Sequence, residues 1–116
     1  GGNGDDILWG TNNEQYLYGE SGDDILFGGA GDDYLSGGTG KDIFEFVADV
    51  TNGNDSVLDY SPIEKDVIKL FINDENQKVD SNDFVDNTLS FSSASIYFST
   101  QSEFSFEDLV IEYVMV

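Results

Sequence analysis

A nine-residue repeat opens the chain and limits its possible folds more than any other feature. The units read GGNGDDILW (1–9), GTNNEQYLY (10–18), GESGDDILF (19–27), GGAGDDYLS (28–36) and GGTGKDIFE (37–45). They share G-G-x-G-x-D-x-U-x with U apolar, and four of the five carry aspartate at the sixth place. Nine residues are too few for a helical repeat module, but they suit a tight turn followed by a three-residue strand. The glycines open backbone angles closed to other residues. The triplets are β-prone with an apolar centre at Leu8, Leu17, Leu26, Leu35 and Phe44, as befits a short strand with one buried side chain. Two turns and two triplets then close one coil of eighteen residues. Alternate units stack in parallel at about 4.8 Å, which places Asp6, Asp24 and Asp42 in one column and Gln15 and Asp33 in the other.

Such a column is unstable by itself. Two carboxylates about 5 Å apart repel by about 3 kcal/mol at an effective dielectric of 20. A divalent cation between turns reverses that sign. Two carboxylates and four turn carbonyls supply the six or more oxygens that calcium prefers, whereas magnesium tolerates an all-protein cage poorly. The chain has neither His nor Cys, which argues against zinc and copper. Ca2+ is the cofactor expected.

The repeats resemble the RTX (repeat-in-toxin) calcium-binding family, and the resemblance covers about the first seventy residues. It implies an all-β, right-handed parallel β-roll, a β-solenoid of about two and a half coils, with a β-rich C-terminal cap. It also implies one ion between each turn and the turn two units later, with both aspartates as ligands. The earlier turn offers carbonyls from its second and fourth places and the later one from its first and third. By that resemblance the first site uses Gly2, Gly4 and Asp6 with Gly19, Ser21 and Asp24. The second uses Glu20, Gly22 and Asp24 with Gly37, Thr39 and Asp42. In the other column the later turn offers Gly28, Ala30 and Asp33, but Gln15 brings only a neutral oxygen, so this site is expected to be weak or empty. Asn13 is expected to keep the second turn by tolerating a left-handed backbone. Lys41 and the extra aspartates Asp5, Asp23 and Asp32 are expected to be solvated.

Twelve of the thirteen glycines lie at or before Gly40, and the texture then changes. Residues 42–47 read as a strand. Gly53-Asn54-Asp55 is a partial echo of the repeat, followed by strand residues Val57 and Leu58. A turn at Pro62 precedes a strand from Asp66 to Ile72. This run is similar to the segment that closes the roll in serralysin-type C-terminal domains. The similarity implies that Asp59 and Asp66 can join a terminal ion; ordinary turn and edge aspartates are the other reading. Residues 1–45 are thus expected to form the calcium roll and 46–116 a capping region.

SNDFV (81–85) and SFEDL (105–109) read as short capped helices, and 88–100 as two antiparallel strands with Leu89, Phe91, Ile96 and Phe98 on one side. The aromatics Phe84, Phe91, Tyr97, Phe98, Phe104, Phe106 and Tyr113 are expected to cap the open end of the coil stack rather than bind a sugar. Val57, Leu58, Val67, Ile68 and Leu70 should extend the sheet over Leu35 and Phe44. The last residues, Glu112 to Val116, read either as a final strand or as the acidic-then-apolar tail that type I secretion substrates resemble.

The function classes narrow accordingly. A net charge of −20, with 24 acidic residues against four lysines, excludes nucleic acid and anionic membranes as partners. Aromatic residues at 14% argue against disorder. No apolar run is long enough to span a bilayer, so stable membrane insertion is not expected. Without His, Cys or Arg, nucleophilic triads and phosphate clamps are out. Only a carboxylate pair could do chemistry, and the aspartates are placed for metal, so no enzymatic activity is expected. Because the chain begins mid-pattern, it reads as part of something longer. The expected partners are calcium ions, upstream domains of the same parent chain and the type I secretion machinery. The expected location is secreted, extracellular or at the cell surface. An adhesive or ligand-binding role for 73–116 in a large RTX adhesin is the alternative.

Overall fold

Each nonapeptide delivers one turn and one three-residue strand, and successive strands go to opposite sheets. In the computed structural model, which describes residues 1–48, 52–91, 94–99 and 104–116, β1 (Ile7–Trp9), β3 (Ile25–Phe27) and β5 (Ile43–Val47) lie in one sheet. β2 (Tyr16–Tyr18) and β4 (Tyr34–Ser36) lie in the other. All these pairings are parallel. The register runs Leu8↔Leu26↔Phe44 on one side and Leu17↔Leu35 on the other, so the eighteen-residue coil expected from the sequence is the one observed.

Past residue 45 both sheets continue. β6 (Asn54–Val57) pairs with β4, and β7 (Val67–Ile72) pairs with β5. β8 (Phe84–Val85), β9 (Thr88–Phe91) and β10 (Ala94–Phe98) complete the second sheet, in which β10 is parallel to β6 while β9 and β8 form antiparallel pairs. β11 (Ile111–Met115) closes the first sheet, parallel to β7. The final orders are β1-β3-β5-β7-β11 and β2-β4-β6-β10-β9-β8. Parallel strands need crossovers, and here two turns and the intervening strand of the other sheet supply each one without a helix.

The core lies between the sheets. Leu26, Leu35, Phe44, Val57, Ile68, Leu70, Leu89 and Ile96 are fully buried, whereas Leu8 and Leu17 at the first coil are only half-buried. The C-terminal aromatics join this core. Tyr60, Phe84, Phe98 and Phe104 meet at centroid distances of 5.4 to 6.2 Å, and Phe91 is buried beside them. Tyr97 alone of the expected set faces outward, being an odd-phase residue of β10.

Several sequence expectations change in detail. Leu58 lies just beyond β6 and is half-exposed rather than a strand residue over the core. The strand expected from Asp66 begins at Val67, because Asp66 turns its carboxylate back to the loop. The two expected helices are single turns of 3-10 helix, Ser81–Asp83 and Phe106–Asp108. Asp80 caps the first in place of Ser81, accepting from Asn82 N–H. Of the 88–100 span, residues 92–93 and 100 lie outside the described residues. Glu112 to Met115 are part of β11.

One local rule is broken in the third turn. Glu20 holds φ +75°, a left-handed position that the first, fourth and fifth turns give to glycine. Such a backbone costs a non-glycine residue about 1–2 kcal/mol. Glycine recovers that strain but adds entropy to the unfolded chain. The exposed Glu20→Gly variant is therefore expected to gain about 0.5 kcal/mol. A urea midpoint of the calcium-saturated chain that falls instead of rising would count against this account.

Candidate metal centre

The turns place the sixth-position aspartates in two ladders. In the first, Asp6 N–H donates to Asp24 Oδ1 at 2.8 Å, Asp24 N–H to Asp42 Oδ1 at 2.9 Å, and Asp42 N–H to Asp66 Oδ1 at 2.8 Å. In the second, Gln15 N–H donates to Asp33 Oδ1 at 3.0 Å and Asp33 N–H to Asp55 Oδ1 at 2.8 Å. Oδ1 of Asp24, Asp33, Asp42, Asp55 and Asp66 thus fastens its coil to the coil above. The other oxygen does not. Oδ2 of Asp6, Asp24, Asp33 and Asp42 is buried without any hydrogen-bond partner.

That second oxygen folds back over the mouth of its own turn. A Cβ on Gly19, Gly28 or Gly37 would collide with Oδ2 of Asp24, Asp33 or Asp42 respectively, so the first glycine is what lets the carboxylate in. One carbonyl, Gly37 O, approaches the same space at Gly19, while Gly4 O and Gly22 O lie over the fourth places of the stacked turns, Gly22 and Gly40, beside Asp5 and Asp23 Oδ1. Gly2 O, Glu20 O and Thr39 O are already shared with N–H groups of stacked turns, from Ser21, Thr39 and Gly22.

The electrostatics match this picture. Burial pushes the Asp42 carboxyl up to about 7, an effect only partly opposed by the Asp24 N–H and reinforced by the charges of Asp66, Asp24 and Asp59. Burial likewise raises Asp55 to about 7, Asp66 to about 6, and Asp33 above the ordinary carboxylate range. Among the described residues none of these groups is in an ion pair; the side-chain pairs are Lys69–Glu45 and Lys78–Glu75.

Four buried carboxylate oxygens without partners, one of them with a turn carbonyl beside it, fit a hard cation with oxygen ligands. Among the described residues no three carboxylates converge on one point. Most ligands to each ion must then be carbonyls, which suits calcium better than magnesium.

The structure separates the candidate aspartates into two groups. Asp6, Asp24, Asp33 and Asp42 each keep a free oxygen. Asp59 and Asp66 do not. Asp59 accepts from Gly37 N–H, Gly38 N–H and Ser36 Oγ, all within 2.9 Å, and Asp66 from Asp42 N–H and Ser61 N–H. Both act where the loop 59–66 covers the last repeat turn, and Glu64 joins them by accepting from Gly40 N–H.

Asp55 was not among the candidates. It ends the second ladder, with Oδ2 held by Asn52 Nδ2 at 2.5 Å. Its signal was the Asn54-Asp55 echo, masked because it lies 22 residues after Asp33 rather than eighteen. The extra aspartates at the fifth place are also more than solvated charges. They are exposed, yet Asp5 accepts from Asp23 N–H, Asp23 from Lys41 N–H, and Asp32 from Asn54 N–H. Lys41 itself is exposed, as expected.

A pH dependence follows for the metal-free chain. Carboxyls raised in the fold are best tolerated when protonated, so their contribution is fully present below about pH 4 and is lost as pH rises through 6 to 7, the values for Asp66, Asp42 and Asp55. In chelator, folded β-structure measured by circular dichroism is expected to increase on going from pH 7.5 to 4.5. Calcium affinity should change oppositely, weakening below about pH 7 as protons compete for the same oxygens. A metal-free chain equally unfolded across that range would contradict the first expectation.

The comparisons with known proteins bear on the repeat and on the fold. The RTX calcium-binding nonapeptide repeat matches in four copies, over residues 1–13 and 9–44. Residues 1–44 are therefore RTX calcium-binding repeats, and the fold that they begin is an RTX β-roll. The solution structure of the AlgE6R3 subunit of the mannuronan C5-epimerase from Azotobacter vinelandii is similar to the chain. The TM-score is 0.56 at 26% identity, covering 95% of this chain and 80% of that one. The extracellular lipase LipA from Serratia marcescens aligns over 95% of this chain but only 20% of its own length, with a TM-score of 0.47 and 25% identity. No curated protein matches the chain. Among the described residues no helix is long and apolar enough to cross a membrane.

Proposed function

We infer that the chain is a calcium-binding β-roll module that folds when calcium is bound, after export by a type I secretion system. It would stabilise the C-terminal part of a larger secreted, extracellular or cell-surface bacterial protein. The observation that carries this reading is the set of buried, unpartnered Oδ2 atoms of Asp6, Asp24, Asp33 and Asp42. Bound calcium supplies the positive charge that those oxygens lack. The chain's own residues do the rest. The aspartate ladders set the spacing of the turns, the glycines admit the carboxylates, and Asp59 and Asp66, with both oxygens bound, close the last repeat turn together with Glu64.

The metal ligands in this reading are Asp6 with Asp24 and Asp24 with Asp42, together with carbonyls of their turns. Residues 46–116 act as the cap. β7 lies against Phe44 through Ile68 and β6 against Leu35 through Val57, and β11 and β10 extend the two sheets beyond them. An adhesive surface on 73–116 is less well supported, because Phe84, Phe91, Phe98, Phe104 and Phe106 pack in or against the core.

Calorimetric titration of the full chain tests the reading. Calcium is expected to bind with a heat that includes folding, while magnesium at the same concentration gives little. A chain that takes up neither ion, or prefers magnesium, would overturn it.

A further inference from the structure

The second turn of the roll is closed differently from the other four. In turns one, three, four and five, the second and fourth places all hold positive φ, whereas Thr11 and Asn13 of the second turn do not. The expectation that Asn13 preserves the left-handed turn is thus corrected: the turn takes another path. Its side chains show why. Gln15 Oε1 accepts from Thr11 N–H at 2.8 Å, and Gln15 Nε2 donates to Thr11 Oγ1 at 2.9 Å. Oε1 lies over Gly10, the place that Oδ2 of Asp6, Asp24, Asp33 or Asp42 takes over the first glycine of its own turn. Those four oxygens have no partner, while the Gln15 amide has one for each of its polar atoms.

The structure assigns the second turn to a cation-independent class, in which the reciprocal Thr11–Gln15 pair stands where a divalent cation serves the aspartate turns. This deepens the calcium-binding reading and rests on it. An amide is neutral and brings both a donor and an acceptor, so it can satisfy the turn's own N–H and hydroxyl. A carboxylate has acceptors only, and at this place its second oxygen needs an outside positive charge. Stacking survives the exchange, since Gln15 N–H still donates to Asp33 Oδ1 and Thr11 O still accepts from Ala30 N–H. The first coil is then held by cation on one side only, and Asp33 has no facing carboxylate above it.

Counting bound calcium in the full chain by equilibrium dialysis tests the assignment. Restoring the repeat in Thr11→Gly/Asn13→Gly/Gln15→Asp is expected to add one bound ion. Gln15→Ala, which removes the pair and adds no ligand, should leave the number unchanged and lower the unfolding midpoint of the calcium-saturated chain. A triple variant that folds and binds no additional ion overturns the assignment, and so does a loss of one ion in Gln15→Ala. The second variant decides the matter even where the first fails to fold. If the unaltered chain binds no calcium, the calcium-binding reading falls as well; if it binds calcium but either variant result goes the wrong way, only this assignment falls.

Discussion

Removing calcium from the full chain with a chelator will abolish most of its far-ultraviolet β-sheet signal, and millimolar calcium will restore it. The magnitudes favour a complete effect. A buried polar atom left without a partner costs about 1–3 kcal/mol, and more when it is charged. Four such oxygens occupy the turns. Net stability of a domain is only about 5–15 kcal/mol, so the four together are enough to unfold a small one. A net charge of −20 adds self-repulsion in the same direction. Since the ligands of one ion come from turns eighteen residues apart in sequence, binding and folding should share one calcium midpoint. A β-signal of full strength in chelator, unchanged by calcium, is the result that would refute this.

What could be read from sequence follows the range of the interactions involved. The coil, the pairing of alternate units and the column of Asp6, Asp24 and Asp42 all come from a fixed period, and the observed register Ile7↔Ile25↔Ile43 repeats that period without a slip. The period ends after Glu45, and legibility weakens there. Asp55 and Asp66 continue the two ladders at offsets of 22 and 24 residues, so that counting by eighteens passes them by. The pairing of β11 with β7 joins segments about forty residues apart that share no pattern, and only the finished core selects it. Side-chain satisfaction was hidden altogether. Asp59 and Asp42 are the same residue type in similar acidic surroundings. One has both oxygens bound by Ser36, Gly37 and Gly38, and the other keeps an oxygen free. That difference decides which of them a cation would need, and it depends on where a loop happens to turn.

Asp24→Ala should damage calcium-dependent folding more than any other single aspartate change. Asp24 is the middle of its ladder, fully buried, accepting from Asp6 N–H and donating its own N–H to Asp42. In the proposed ligand set it serves both ions of that column. Each site saturated a hundredfold above its dissociation constant adds about 2.7 kcal/mol to folding, so losing two removes about 5 kcal/mol at that concentration. The lost hydrogen bond to Asp6 N–H adds about 1 kcal/mol. Asp33→Ala removes one free oxygen in the column where Gln15 supplies no carboxylate, and its cost should be about half as large or less. The contrast vanishes in chelator. There each change deletes a buried oxygen that has no partner, so neither variant should be less stable than the parent chain at neutral pH. Titration calorimetry and urea unfolding of the two variants in calcium, with the residual circular dichroism of each in chelator, separate these effects. If Asp33→Ala proved as damaging as Asp24→Ala in calcium, the ions would not be concentrated on the Asp6–Asp24–Asp42 column, and the ligand set proposed for it would have to be abandoned.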